Sequence, residues 1–286
     1  MLAPMAKILA TDLDGTLFYP SKIKTAIPKK NIKFLRKWID AGNRVVLVTS
    51  RGKEFTDGLK KEIQRPVDVL NCTGAQIFSN KKIIREISIP NESLKNILDE
   101  LDKDFAPLAY LMTTDKYTCL IKDNGQASRF FLHFYKLWRF FQFKKKEPIL
   151  VDNKVFEKEL NEGKIFKVMV FFGLARKKKK MTKEFNKLFR EKFTNVEFSW
   201  TRIINEITPL DCNKGASLVY YCNALGIDKK DVYVVGDSGN DITMFNAFYE
   251  NSFCMRKAYT SVRKYAKYTV SKVYKLDKML LKGEDK

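Results

Sequence analysis

Lys7-Ile-Leu-Ala-Thr-Asp-Leu-Asp-Gly-Thr16 starts as a short apolar run and ends in two aspartates flanking a single residue. The run reads as a buried strand that terminates in carboxylates. Gly15 lets the chain turn sharply there, so that the side chains of Asp12 and Asp14 can face one pocket. Working outward, Lys29 to Ala41 carries Ile32, Phe34, Leu35, Trp38 and Ile39 near helical period, and Gly42 is a natural stop. Arg44-Val-Val-Leu-Val-Thr49 is a second buried strand. A helix over about Phe55–Gln64 then leads to a third, Val67–Asn71. Continuous apolar strands alternating with helices indicate parallel βαβ units covered on both faces.

The middle of the chain has a different texture. It holds hairpin-like pieces at Leu108–Met112 and Tyr117–Ile121 and a helix rich in aromatics at Gln126–Phe143. Beyond these come a helix around Asn153–Glu162, a strand at Ile165–Phe172 and a basic helix over Lys177–Lys192. The α/β pattern returns with a helix from Lys214 to Leu225. A buried strand, Asp231–Val235, then runs into Gly-Asp-Ser-Gly-Asn-Asp241, and short strands follow near Phe253–Met255 and Tyr268–Val270. The expected architecture is an α/β, Rossmann-like parallel-sheet core made of residues 1–80 and 203–286. An α+β cap domain, residues 81–202, is inserted in it.

The 286-residue chain suits one large or two modest soluble domains, with 45% apolar and 30% charged residues. No stretch has the ~18 apolar residues of a membrane span, and the N-terminus does not read as a signal peptide, so a cytoplasmic protein is expected. The net charge of +21 would suit a nucleic-acid binder. However, only 12 of the 54 basic residues are Arg, and the Lys excess is spread along the chain, which reads as solvated helix faces. The aromatics at 131, 134, 135, 138 and 141 follow one helical face and read as cap core or cap–partner packing, while Phe130, Phe140 and Phe143 fall off that stripe. Five cysteines without C-x-x-C spacing exclude a disulfide framework and a zinc site, and the single histidine, His133, nearly excludes histidine-based catalysis.

Three strand ends carry polar residues: Asp12/Asp14, Thr49/Ser50 and Asp237/Asn240/Asp241. In open parallel sheets ligands bind beyond the carboxyl ends of the strands, so neighbouring tips would converge on one site. Carboxylates gathered there need a cation, and an all-oxygen set selects a hard one, commonly Mg²⁺. One aspartate of the pair can act as a nucleophile towards phosphorus, and the other can carry the proton. Lys214, opening a helix just upstream of the last acidic strand, can meet a phosphate and offset charge.

The set Asp12-Leu-Asp-Gly-Thr16, Val48-Thr-Ser-Arg51, Asn213-Lys-Gly215 and Gly236-Asp-Ser-Gly-Asn-Asp241, in that order, resembles the haloacid dehalogenase-like phosphatases. The large insertion places the resemblance in their Cof-type branch. It implies a Mg²⁺-dependent phosphatase acting on small phosphorylated metabolites, such as sugar phosphates, through an aspartyl-phosphate. By the resemblance, Asp12 is the nucleophile and Asp14 the general acid and base. Mg²⁺ is held by Asp12, Asp14 (through its backbone carbonyl) and Asp237, with Ser238 and Asp241 nearby. Phosphate is held by the Leu13 N–H, Thr49, Ser50, Lys214 and Asn240.

Three stretches depart from the family pattern. Thr49-Ser50-Arg51 stands for T-G-R, Thr73-Gly74-Ala75 for N-G-A, and Met255-Arg-Lys-Ala258 for M-G-N-A. None removes a catalytic group, so an active enzyme is expected. Its partner is a small phosphorylated substrate, without nucleic acid or membrane, and the chain is a monomer or weak homodimer. The alternatives are a phosphotransferase or mutase of the same fold, or a basic nucleic-acid-binding protein.

Overall fold

A computed structural model describes residues 6–20, 26–123, 125, 148–173, 176–200 and 204–281. The aromatic segment 126–143, His133 and the Lys144–Lys146 run lie outside these residues. The chain divides into two compact units, Met1–Arg85 with Asn213–Lys286, and Glu86–Cys212.

The first unit is built on an eight-stranded sheet. Its order is Tyr268–Val270, Ser252–Met255, Val232–Gly236, Ile8–Thr11, Arg44–Val48, Asp68–Asn71, Gln76–Ser79 and Lys82–Glu86. The first six strands are mutually parallel, and Gln76–Ser79 turns back antiparallel. Because side chains alternate across a strand, each central strand serves two cores. Leu9, Val45, Leu47 and Val69 face the helices Lys29–Asp40 and Lys53–Ile63, packing on Phe34, Leu35, Trp38, Phe55 and Leu59. Ile8, Ala10, Val46, Val48 and Leu70 face the other way, towards Leu218, Tyr221, Met244 and Phe245. Burying each such large side chain contributes about 1.5–3 kcal/mol, which is why these strands are apolar along their whole length. Trp38 also closes its own hydrogen bond, its Nε1–H donating to the Arg44 carbonyl at 2.9 Å.

The helix Lys214–Ala224 lies close against Ile242–Ala247 because of Gly215, where a Cβ would come within 2.2 Å of the Thr243 carbonyl oxygen. That close approach holds Lys214, at the start of the helix, beside the sheet. Asn213 caps the same helix, its side chain accepting from the Ala216 N–H at 3.0 Å.

The second unit has a six-stranded sheet in the order Val196–Trp200, Ile204–Pro209, Ile165–Phe171, Ala109–Thr114, Cys119–Asp123 and Ile149–Val151. The helices Asn91–Asp104, Asn153–Glu162 and Arg176–Lys192 supply Leu94, Ile97, Leu98, Leu101, Phe156, Phe185 and Phe189 to the core on one face. Two features differ from the sequence reading. Ile204–Pro209, expected with the returning α/β pattern, pairs antiparallel with strands on both sides in the second sheet. Lys82–Glu86, expected in the insertion, is the edge strand of the first sheet.

All five cysteines are buried, and none is in a disulfide. Among the described residues no helix is long and apolar enough to cross a membrane.

Candidate active site

The strands Val232–Gly236, Ile8–Thr11 and Arg44–Val48 are immediate neighbours in register, with Ala10 opposite both Val234 and Val46. Their carboxyl ends therefore deliver Asp237, Asp12 and Thr49 to one edge of the sheet. Beyond Asp12 the chain makes one wide turn, in which the Leu17 and Phe18 N–H groups donate to the Asp12 and Leu13 carbonyls. Gly15 sits in this turn at φ +85°, and a Cβ there would lie 2.3 Å from an Asp237 carboxylate oxygen. Glycine is needed twice over, for the backbone and for the carboxylate beside it.

At the centre is Lys214, only 1% exposed. Its Nζ donates to Asp12 Oδ1 at 2.7 Å and to Asp241 Oδ1 at 2.6 Å. Asp241, 0% exposed, uses its other oxygen to accept the N–H groups of Asp237 and Ser238, each at 2.9 Å. Both of its oxygens are thereby engaged, and it clamps the loop that presents Asp237. Ser238 Oγ donates to Asn240 Oδ1 at 2.7 Å, so these two side chains hold each other. Asp237 Oδ1 accepts from Thr16 Oγ1 at 3.1 Å, and its Oδ2 lies 3.8 Å from Lys257 Nζ.

Asp12 is 5% exposed, and its second oxygen, Oδ2, is buried without a hydrogen-bond partner. One oxygen from each of Asp12, Asp237 and Asp241 lies within 4.8 Å of the others. Asp12 and Asp241 share the Lys214 ammonium, and a buried oxygen without a partner costs free energy. The donor set is all oxygen, with neither histidine nor cysteine, and it fits a hard divalent cation such as Mg²⁺.

Asp14 has a different partner. Its carboxylate, 51% exposed, is gripped by Arg51 in a bidentate pair at 2.7 and 2.8 Å. The Arg51 guanidinium lies 4.0 Å from the centre of the Phe55 ring. The Asp14 carboxylate is therefore held by Arg51, whereas that of Asp12 is held by Lys214. Arg51 is a residue of this site that the motif spacing alone does not assign. Thr49 is 1% exposed, and its Oγ1 accepts the Arg51 N–H at 3.1 Å, which fixes the turn at that strand end. Leu13 is buried within the turn after Asp12, and Ser50 follows Thr49 at the mouth of the second strand.

The electrostatics follow from this crowding. Burial pushes the Asp12 carboxyl from the ordinary 3.8 up to about 8. Lys214 opposes that rise, and Asp241, Asp237 and Asp14 add to it. Asp237 rises to about 6, again mainly through burial and then Asp241, with Lys257 and Thr16 pulling it down. Burial alone would depress Lys214, but Asp12 and Asp241 outweigh it and hold the ammonium above the ordinary lysine range.

Carboxyls that bind their protons more tightly in the folded than in the unfolded chain stabilise the fold fully below about pH 4. That contribution is lost as pH rises through about 6 and then about 8. In chelator, the Tm of the wild type minus that of Asp12→Asn is therefore expected to fall between pH 5 and 8.5, and Mg²⁺ to flatten the trend. A difference that stays level or rises over this range in thermal scans would contradict the assignment.

A family model described as haloacid dehalogenase-like hydrolase matches residues 9–277. A putative phosphatase of Buchnera aphidicola is 28% identical to the chain, over 85% of this chain and 84% of the relative. The 5-amino-6-(5-phospho-D-ribitylamino)uracil phosphatase of Bacillus subtilis is also 28% identical, over 84% of each. Among solved structures, a sugar phosphatase of HAD subclass IIB superposes with a TM-score of 0.74 at 20% identity, over 96% of this chain and 98% of that one. At that identity the likeness bears on the fold alone.

Proposed function

The chain belongs to the haloacid dehalogenase-like hydrolases, in their Cof-type branch, and is a phosphatase; from that premise we propose that it hydrolyses small phosphorylated metabolites through a Mg²⁺-dependent aspartyl-phosphate on Asp12. The observation that carries this reading is the buried Asp12 carboxylate, clustered with Asp237 and Asp241, with Oδ1 fixed on Lys214 and Oδ2 unpartnered. A carboxylate so oriented is a nucleophile held in place, and its partner cation limits the repulsion an incoming phosphate would meet.

In this reading Asp12 and Asp237 hold the metal directly, together with the Asp14 backbone carbonyl. Asp241 and Ser238 act from behind them, by shaping the loop. Bound Mg²⁺ would neutralise the carboxylates and the phosphoryl oxygens. An Asp12 oxygen attacks phosphorus, the phosphorus–oxygen bond to the leaving group breaks, and that oxygen takes a proton from Asp14. Asp14 then accepts a proton from water, which attacks the phosphoryl group and frees Asp12 and inorganic phosphate. The Leu13 N–H, Thr49, Ser50, Lys214 and Asn240 are the groups proposed to hold the phosphate.

The Arg51–Asp14 pair bears on the proton step. Both Asp14 oxygens are engaged by the guanidinium, so Asp14 must turn away from Arg51 before it can meet a leaving group. Asp14→Asn is accordingly expected to lower kcat about 10²–10⁴-fold for alkyl phosphates. The loss should be much smaller in the first step for an aryl phosphate, whose leaving group needs no proton; burst kinetics measure that step. Equal first-step losses for both substrates would remove Asp14 from this role.

The small-metabolite reading is supported by the inserted α+β unit and by the relatives, one of which acts on a phosphorylated ribityl compound by its name. It is tested by phosphate release from a panel of phosphorylated metabolites in Mg²⁺ and in chelator. The expected result is metal-dependent release, with a ranking among sugar phosphates and related compounds. Undiminished release in chelator would contradict the metal assignment, and no release from any compound would contradict the substrate class.

A further inference from the structure

Met255-Arg-Lys-Ala258 places two cations at the end of a core strand, and the structure separates them. The strand Ser252–Met255 runs beside Val232–Gly236, with Gly236 opposite Cys254, so the turn that follows stands next to Asp237. That turn is pinned by two hydrogen bonds, Arg256 N–H to the Val270 carbonyl at 2.8 Å and Ala258 N–H to the Met255 carbonyl at 2.9 Å. Both residues are exposed. The Lys257 ammonium lies 3.8 Å from Asp237 Oδ2 and 4.4 Å from the centre of the Tyr19 ring. Tyr19 packs on the core just after the turn that follows Asp12, and its N–H donates to the Thr16 carbonyl. The ammonium is thus held between an aromatic face and the carboxylate at the edge of the site.

We propose that Lys257 is a tethered cation that competes with the divalent ion at Asp237, and that it thereby makes metal binding depend on phosphate. The inference rests on the reading of Asp12 and Asp237 as metal ligands. A divalent ion taken up by Asp237 shares that carboxylate with Lys257, and the two positive charges repel. A phosphate arriving in the site offers the ammonium another anion, and the flexible lysine side chain can turn from Asp237 to a phosphate oxygen, which leaves the carboxylate to the metal. Lys257 therefore weakens the metal when it binds alone and much less when phosphate is present. By linkage, the factor by which phosphate then strengthens the metal is the factor by which metal strengthens phosphate. A protein of this kind stays largely unloaded until its anionic ligand arrives.

The test is calorimetric titration of Mg²⁺ into the full chain, with and without saturating inorganic phosphate, for the wild type, Lys257→Ala and Lys257→Arg. Lys257 is partly exposed at 31% of its side chain, so its truncation opens no core cavity. In the absence of phosphate, Lys257→Ala is expected to bind Mg²⁺ about three- to tenfold more tightly than the wild type. The gain in Mg²⁺ affinity that phosphate confers should shrink by a similar factor, and Lys257→Arg should keep the wild-type values. An unchanged or weaker Mg²⁺ affinity in Lys257→Ala, or an undiminished phosphate effect, would overturn the inference while leaving the metal site intact. A wild type that takes up no Mg²⁺ with or without phosphate would overturn the metal reading and this inference together.

Discussion

Asp12→Asn is expected to lower turnover by about 10⁴-fold or more, because it replaces an anionic nucleophile with an amide that cannot form the acyl phosphate. The loss should sit in kcat, whatever the leaving group, since bond formation to Asp12 precedes any help to the departing oxygen. The same change should not unfold the protein. Asp12 Oδ2 has no hydrogen-bond partner to lose. The amide oxygen can still accept from Lys214, and one of three crowded carboxylates is gone. In chelator at pH 8 the variant should melt no lower than the wild type. Steady-state kinetics and thermal scans on one preparation check both halves. Retained turnover would refute the nucleophile, and a collapse in Tm would refute the account of the cluster's electrostatics.

Lys214→Met is expected to damage folding and catalysis together. Among the described residues Lys214 is the one ammonium hydrogen-bonded to Asp12 and Asp241, and all three groups are buried. Removing one member of a buried ion pair leaves the others uncompensated, at a cost of about 3–5 kcal/mol. Methionine retains most of the volume, so the cost is chiefly electrostatic. It should therefore be smaller at pH 5, where Asp12 with its elevated pKa carries its proton, than at pH 8.5. Urea unfolding in chelator at the two pH values measures this. A loss below about 1 kcal/mol at pH 8.5 would mean that the cluster is not held together by charge. Under conditions where the variant is folded, kcat should be down about 10²–10³-fold, the usual scale for removing a preorganised cation or donor.

Most of the first sheet could be read directly from the sequence. The strands ending at Thr11, Val48 and Gly236 are buried on both faces, so they are continuous apolar runs, and their polar termini stand out against them. Parallel order then brings Asp12, Thr49 and Asp237 together without any knowledge of side-chain contacts. The second unit is harder to read, because its central strands Ala109–Thr114 and Ile165–Phe171 are buried along nearly their whole length and lack the alternation that marks an antiparallel sheet with one solvated face. The helix Asn91–Asp104 was missed, although Leu94, Ile97, Leu98 and Leu101 mark one helical face after Pro90. Ile204–Pro209 was given to the wrong sheet, because its pairing with Val196–Trp200 and Ile165–Phe171 is a tertiary fact.

Within the site, what the sequence could not show was which polar group holds which. Arg51 and Asp14 are 37 residues apart, and their bidentate pair exists only because two strand-end loops face each other. The resemblance puts Asp241 near the metal. The structure shows both its oxygens occupied, one by Lys214 and one by the loop amides. Lys257 was visible only as a departure from a pattern, and its neighbours, Asp237 and Tyr19, come from distant parts of the chain.

The measurement that tests the central claim most directly is to trap the phosphoryl group on the protein. Asp14→Asn, supplied with Mg²⁺ and an aryl phosphate carrying radiolabelled phosphorus, should complete the first step and stall before water attacks. Acid quenching and peptide mapping are expected to find an alkali-labile label on the peptide that contains Asp12, with none in Asp12→Asn. Label on any other residue, or turnover by the wild type that survives Asp12→Asn, would contradict the account.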